Sequence, residues 1–151
     1  MDDKEKYKRP ESVLVVIYSK TGHVLMMQRA FPDDFWQSVT GSLEWGEDVE
    51  QAAIRELKEE TGLEANGLIN CQFSQQFEIY SIWCDRYQPG VMHNKEHVFL
   101  MPLEDCEEIQ FDPREHTETL WVSREEAIQM ATSHTNCEAI LRWVPDINSK
   151  G

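Results

Sequence analysis

The chain has 151 residues, of which 40% are hydrophobic, with five Trp, six Phe and four Tyr. This length suits a single domain spanning residues 1–151, and the apolar content excludes a disordered acidic chain. Fourteen Lys and Arg against 28 Asp and Glu give a formal charge of −14, so the field of the molecule repels polyanions. We therefore expect no nucleic-acid partner and no membrane partner.

The four cysteines are Cys71, Cys84, Cys106 and Cys137. They show no C-x-x-C spacing, which argues against a zinc or redox site and predicts buried free thiols. The N-terminal ten residues lack the apolar region of a signal peptide, and the apolar run at 13–18 is too short to span a bilayer. We expect a cytoplasmic protein that is a monomer or a small homo-oligomer.

The N-terminal third of the chain reads as strands. Two apolar runs at 13–18 and 24–28 flank a turn, which predicts a β-hairpin. Pro32 and its Asp neighbours predict a loop over 30–34, and a further short strand is expected over 36–40.

The C-terminal half reads as strands followed by helices. Strands are expected over 71–84, bent or broken near Gln75 and Gln76, over 97–101 after a Pro89–Gly90 turn, and over 120–122. This order of elements indicates an α+β fold with helices packed on a mixed β-sheet.

Two helices are expected near the C-terminus. Ser123 and Glu126 have the spacing of a capping box, which predicts a helix that ends near Ala131. A second helix is expected to begin near Asn136 and to stop before Pro145.

A central helix carries the strongest pattern. Between Glu47 and Thr61, apolar residues recur at helical spacing, and Gly62 lies where a left-handed cap belongs. The apolar stripe comprises Val49, Ala52, Ala53 and Leu57.

The same stripe continues into carboxylates. Glu56 and Glu60 share it and Glu59 lies to one side, so like charges crowd the end of the helix dipole that disfavours anions. A bound divalent metal would remove these conflicts. The alternative is a solvated face offset by Arg55 and Lys58, and the continuity with the apolar stripe and the small Ala52 and Ala53 leave both interpretations open.

Residues 41–63 resemble the catalytic segment of the Nudix hydrolase family, G-x5-E-x7-R-E-U-x-E-E-x-G-U with U aliphatic. The chain reads GSLEWGEDVEQAAIRELKEETGL here and matches every fixed position, Gly41, Glu47, Arg55, Glu56, Leu57, Glu59, Glu60, Gly62 and Leu63. The resemblance implies an α/β/α sandwich and a cofactor of Mg²⁺, with Mn²⁺ as an alternative.

The resemblance also implies roles for single residues. Glu56 and Glu60 are expected to bind the metal, Glu59 to be a ligand or a base, and Glu47 to pair with Arg55 and brace the loop against the helix. Glu115 is expected to be a further metal ligand on the resemblance alone, the alternative being an exposed loop glutamate.

Around the box, the chain carries the segments KRP (8–10), VLVVIYS (13–19), VLMMQR (24–29), DFWQSVTGS (34–42), FEIY (77–80), RYQPGV (86–91) and REH (114–116). These segments resemble a bacterial branch of the family whose substrate is a pterin triphosphate of folate synthesis. On that resemblance, Lys8, Arg29 and Thr40 contact the triphosphate. The pocket is lined by Phe77, Glu78, Ile79, Tyr80 and Ser133. The alternatives are surface charges for the two cations and core packing for the aromatic residues. Trp36 and Trp121 are expected to pack in the core, and His116 to be structural.

The expected reaction is Mg²⁺-dependent hydrolysis of a small-molecule triphosphate, a pterin in the first place, to a monophosphate and pyrophosphate. A pyrophosphatase acting on dATP-like or oxidised nucleotides stays open, as does a nucleotide-sensing domain that does not cleave. The intact Arg55, Glu56, Glu59 and Glu60 argue against the sensing domain.

Overall fold

A seven-stranded mixed sheet forms the middle layer of the protein, which we describe over residues 6–147 of a computed structural model. The strands are β1 (Glu11–Ser19), β2 (His23–Arg29), β3 (Trp36–Gln37), β4 (Val39–Ser42), β5 (Ile69–Glu78), β6 (His93–Leu103) and β7 (His116–Ser123). The helices are α1 (Val49–Thr61), α2 (Arg124–Met130) and α3 (His134–Trp143), with a 3-10 helix at Ser81–Arg86.

Strand β1 occupies the centre of the sheet because its apolar residues face both layers. It pairs in parallel with β6 along its whole length. Its other edge pairs with β4 over Ser12 to Val15 and meets β2 only at Tyr18, opposite Val24. The predicted hairpin is therefore present, but its strands diverge after the turn and β4 takes the vacated edge.

The alternation of side chains along β1 explains the three layers. Val13, Val15 and Ile17 pack in a core with Ala53 and Leu57 of α1. The intervening Leu14 and Val16 pack on the opposite face with the helical residues Ala127, Ala139 and Ile140. The α+β fold with an α/β/α sandwich is confirmed.

Helix α1 has the ends that its sequence predicts. Asp48 caps it by accepting a hydrogen bond from the Gln51 backbone N–H at 2.8 Å. Gly62 ends it in the left-handed conformation, with φ of 78°, and donates its N–H to the Lys58 carbonyl.

The predicted strand over 71–84 is wrong in its second half. Strand β5 ends at Glu78, and the chain then turns into the 3-10 helix at Ser81–Arg86. The apolar residues of this segment suggested a strand, but Ile79 and Trp83 line a pocket and do not pair in the sheet. The irregularity of β5 also lies earlier than the expected position near Gln75 and Gln76, because the register shifts between Asn70 and Ser74.

The remaining elements agree with the sequence apart from their ends. The Ser123–Glu126 capping box is confirmed. Helix α3 begins at His134, two residues before the predicted start, because Ser133 is its N-cap. The four cysteines are free thiols, but Cys71 and Cys137 are only half-buried. Cys84 and Cys106 lie in surface connections and are exposed, so the expected burial is wrong for these two.

Within residues 6–147, no helix is both long and apolar enough to cross a bilayer. The cytoplasmic location and the single domain over 1–151 stay predictions.

The packing of α1 yields a test of stability. Leu57→Ala removes a fully buried side chain and is expected to lower the free energy of unfolding by about 2–5 kcal/mol. Ile54→Ala, on the same helix at 48% exposure, is the matched control and should cost less than about 1 kcal/mol. Urea titrations of both variants measure the difference, and equal losses would contradict the assignment of the buried face.

Candidate active site

The three carboxylates of α1 differ in how deeply they are buried between the helix and the sheet. Glu60 is 4% exposed, and the Glu56 side chain is 13% exposed. The Glu59 side chain is 59% exposed and reaches only the edge of the group, 3.4 Å from Arg55 Nη1. The apolar stripe thus ends in one buried carboxylate, Glu60, one half-buried carboxylate, Glu56, and one exposed carboxylate, Glu59.

Glu60 is the least compensated of these groups. Burial raises the pKa of its carboxyl group well above the ordinary value, and the hydrogen bond and charge of Glu56 raise it further. Among the described residues, Oε1 has no hydrogen-bond partner. His116 Nε2 lies 3.7 Å from it, but burial lowers the pKa of His116 to about 4, so the ring is neutral near pH 7.

Arg55 joins the loop before α1 to the carboxylates. Its Nε and Nη2 donate to the two oxygens of Glu47 at 2.9 and 2.8 Å, so the predicted pair is present and bidentate. Its Nη1 donates to Glu56 at 2.6 Å, and Nη2 also reaches the Ser42 carbonyl. These bonds raise the pKa of Arg55 and lower that of Glu47, so the charged pair is favoured.

Gly41 lets the Glu56 carboxylate approach the backbone of β4. A Cβ at this position would stand 2.2 Å from Glu56 Cδ. Gly41 also lines the pocket described below, so that pocket adjoins the carboxylates.

Glu115 comes close to the α1 carboxylates although it is distant in sequence. It precedes β7, and its carbonyl accepts a hydrogen bond from Ala30 N–H at 2.8 Å, which ties it to the end of β2. Its charge contributes to the pKa shifts of Glu60, Arg29 and Lys8. Glu56 and Glu60 therefore lie together, the charge of Glu115 acts on Glu60, and Glu59 is exposed beside Arg55.

A pocket opens where β1 and β2 diverge. Three cations line it: Lys8 and Arg29, which interact with the glutamates, and Arg86, whose charge acts on both. Burial and the charges of Arg86 and Arg29 lower the pKa of Lys8, while Glu56 and Glu115 raise it. In this acidic molecule the arrangement provides a local site for an anion.

Aromatic side chains form one wall of the pocket. Phe35, Tyr80 and Trp83 contact one another edge to face, with ring centroids 5.5–5.6 Å apart. The Arg29 guanidinium lies 4.7 Å from the Trp83 ring centroid, which fixes the cation against the wall.

Buried polar side chains line the pocket from the sheet. They are Ser12, Gln37, Asn94, Glu96 and Asn136. Asn136 is fixed by accepting from Ser38 N–H and donating to Ser38 Oγ. Asn94 and Glu96 alternate with more exposed neighbours along β6, but His93, Lys95 and His97 are polar as well, so no sequence pattern marks the two buried residues.

The pocket gathers most of the substrate-binding residues that the sequence predicts. Seven of them line it: Lys8, Arg29, Thr40, Phe77, Ile79, Tyr80 and Ser133. Glu78 does not line it and is exposed, because the alternation of β5 turns its side chain away from Phe77. The prediction for Glu78 is therefore not supported by its position. Sequence reasoning missed Phe35, Trp83, Arg86, Asn94 and Glu96.

The expected packing residues behave as proposed. Trp36 and Trp121 pack against the two cores. His116 is buried and lies within 3.3 Å of the Gln37 amide nitrogen.

The carboxylate oxygens suit a hard divalent cation that also binds water and substrate, and not a metal ion enclosed by protein ligands alone. Among residues 6–147, no three His, Cys, Asp or Glu side chains are grouped closely enough to hold a metal ion alone. The unpartnered Glu60 oxygen and the crowded carboxylates leave room for a cation that also takes water and substrate oxygens, as Mg²⁺ does.

Comparison with known proteins agrees with this arrangement. The dihydroneopterin triphosphate diphosphatase of Haemophilus influenzae is 43% identical over 146 residues, covering 92% of this chain and 90% of that protein. The enzyme of the same name from Escherichia coli is 45% identical, covering 91% and 94%.

A solved structure agrees as well. The structure of the Escherichia coli dihydroneopterin triphosphate pyrophosphohydrolase matches with a TM-score of 0.86 at 45% identity, covering 91% of this chain and 97% of that one. The NUDIX domain model matches residues 8–144. The chain therefore belongs to the Nudix family and is a Nudix hydrolase that acts on a small-molecule phosphate substrate.

Proposed function

We propose that this protein hydrolyses dihydroneopterin triphosphate to dihydroneopterin monophosphate and pyrophosphate, with Mg²⁺ as its cofactor and Mn²⁺ as a substitute. Water attacks one phosphorus of the α–β anhydride as the bond from that phosphorus to the bridging oxygen breaks, which yields the monophosphate and pyrophosphate and releases the proton of the water to solvent. The observation that carries the proposal is one pocket that is lined by cations and an aromatic wall and that adjoins the α1 carboxylates at Gly41. The substrate of the relatives at 43% and 45% identity supports the choice of pterin.

The phosphate end of the substrate is assigned to the cations. Lys8, Arg29 and Arg86 line the pocket, and the charges of Glu56 and Glu115 act on Lys8 while those of Glu60 and Glu115 act on Arg29. Arg29 is fixed by Trp83 and by donating its Nε–H to the Phe31 carbonyl at 3.1 Å. A fixed guanidinium binds phosphate oxygens with less loss of side-chain freedom.

The metal end is assigned to the α1 carboxylates. Glu56 and Glu60 would hold the cation directly, and Glu115 would add a ligand from the loop before β7. A bound divalent ion neutralises phosphate charge and lowers the pKa of the attacking water. Arg55 and Glu47 position Glu56, because the guanidinium bonds to both carboxylates. Glu59, solvated and beside Arg55, is available as a ligand or as a base.

The flat ring of the substrate is assigned to the aromatic wall. Tyr80 and Trp83 present ring surfaces into the pocket next to Phe77 and Ile79. A heterocycle gains from such surfaces through apolar burial and edge or face contacts.

A substrate panel tests the proposal. The purified protein with Mg²⁺ is expected to hydrolyse dihydroneopterin triphosphate with a kcat/KM at least about tenfold above that for each common nucleoside triphosphate, because the pocket favours the pterin transition state. Release of pyrophosphate measures turnover. A nucleotide, including an oxidised one, that is cleaved more efficiently would replace the pterin as the substrate, and absence of any turnover would favour a sensing domain.

The metal ligands are tested by thermal melting. Mg²⁺ at 100 times its Kd is expected to stabilise the protein by about 2.7 kcal/mol, because it binds only the folded state. The gain in Tm on adding Mg²⁺ should shrink in Glu56→Gln and Glu60→Gln, and turnover should be lost. Glu50→Gln, an exposed residue in the first turn of α1, is the control and should keep the whole gain. An undiminished gain in both variants would refute the ligand assignment.

Gly41→Ala tests how closely Glu56 must be placed. The new methyl group would meet the flexible end of Glu56 at 2.2 Å, so the carboxylate must move while the backbone need not. We expect kcat to fall by about tenfold or more, because misplacement of a reacting group is costly, with little change in Tm. Adding Gly41→Ala to Glu56→Gln should bring little further loss; full activity of the single variant would contradict the model of the site.

A further inference from the structure

The pocket has a polar inner wall that the metal and the cations do not use. It is formed by Asn94 and Glu96, which occupy successive core-facing positions of β6 and are 1% and 4% exposed. Ser12 of β1 pairs with Glu96 in the parallel register. All three line the pocket. Beyond them, the same face of β6 continues with the apolar Val98 and Leu100, which pack in the core. Glu96 therefore occupies a position where an apolar side chain would pack equally well.

Glu96 is held in place by two donors. Gln75 Nε2 donates to its Oε1 at 3.0 Å, and the Thr135 side chain also bonds to it. Gln75 itself is fixed by donating to the Thr135 carbonyl at 3.1 Å. A carboxylate has about four lone-pair positions, so these two bonds leave acceptor capacity for a ligand.

Asn94 has an acceptor that nothing in the described chain satisfies. Its Nδ2 donates to Ser12 Oγ at 2.7 Å, whereas its carbonyl Oδ1 is buried without a partner. A buried acceptor left unpaired destabilises a protein, so its retention beside Glu96 indicates a ligand that supplies a hydrogen-bond donor.

The two ends of the pocket differ in chemistry. Lys8 and Arg29 interact with the metal-side glutamates, while Glu96 bonds to Gln75 and Thr135. The inner wall therefore offers acceptors and the outer end offers cations. A ligand that fits both has phosphates at one end and neighbouring N–H donors on a flat ring at the other.

We propose that Glu96 and Asn94 determine specificity by accepting hydrogen bonds from the adjacent amino and ring N–H groups of a 2-amino-4-oxopyrimidine ring. This inference rests on the proposed function, since that ring is the pterin end of the substrate. Guanine carries the same donor edge. Adenine presents a ring-nitrogen acceptor beside its amino group, which would face another acceptor.

Glu96→Gln tests the recognition of the ring. The substitution keeps the size of the side chain but replaces one of its two acceptor oxygens by an NH2 donor, which opposes the donor edge of the ring. We expect the KM for dihydroneopterin triphosphate and the Ki of dihydroneopterin, which lacks phosphates, to rise about 10-fold to 100-fold. The Ki of pyrophosphate, which reports only the phosphate end, should stay within about twofold. Glu138→Gln, an exposed carboxylate on α3, is the matched control and should change neither constant.

A second comparison separates recognition from general damage to the pocket. Guanosine and inosine triphosphates differ only in the 2-amino group, and as competitive inhibitors the first should bind the unaltered protein more tightly. Glu96→Gln should bring their Ki values together, whereas a merely structural role would raise both equally. If Glu96→Gln does not fold, Asn94→Ala gives the same comparison, because it removes the unpaired acceptor.

The outcomes distinguish this inference from the proposed function. Efficient hydrolysis of dihydroneopterin triphosphate by the unaltered protein, with no change of Ki for the ring in either variant, overturns the recognition by Glu96 and Asn94 alone. Failure of the unaltered protein to hydrolyse that compound overturns the proposed function, while loss of the guanosine–inosine difference in the variants would still support the donor-edge recognition.

Discussion

The burial of Glu56 and Glu60 beneath α1 is the constraint on which the site depends. Two carboxylates placed between a helix and a sheet repel each other and lose hydration, so each needs a compensating charge. Arg55 compensates Glu56 through a 2.6 Å hydrogen bond and is itself anchored by Glu47. Glu60 has no such partner and is left with a raised pKa. The fold thus provides Glu56, whose charge Arg55 compensates, and Glu60, whose Oε1 has no hydrogen-bond partner among the described residues.

The position of this site follows from the way the sheet opens. Strands β1 and β2 separate after a single pairing at Tyr18 and Val24, and β4 takes the free edge of β1. Gly41 on β4 lets the Glu56 carboxylate approach the backbone, and Arg29 at the end of β2 lines the pocket between the separated strands. One irregularity of strand pairing therefore places the proposed metal ligands beside the proposed phosphate-binding cations, in the kind of opening where ligand sites occur.

The features of the fold and the site that the sequence predicts are those that depend on residues close together in the chain. The ends of α1, the pair of Glu47 with Arg55 and the buried stripe all lie within one contiguous segment, so spacing was sufficient. Glu115 reaches Glu60 only through the pairing of β2 with β7, which no local pattern reveals. Glu96 was missed because the apolar run that predicted its strand begins after it, and only the full register of β6 against β1 turns its side chain to the pocket.

The net charge of −14 and an anionic substrate are compatible because the cations are concentrated. Lys8, Arg29 and Arg86 crowd one end of the pocket closely enough that the two arginines lower the pKa of Lys8. A small triphosphate fits among these charges and meets little of the surrounding surface. A long polyanion such as RNA must also lie along that acidic surface, where its many phosphates are repelled. Charge distribution therefore favours compact substrates over polymeric ones before any contact with the ring is made.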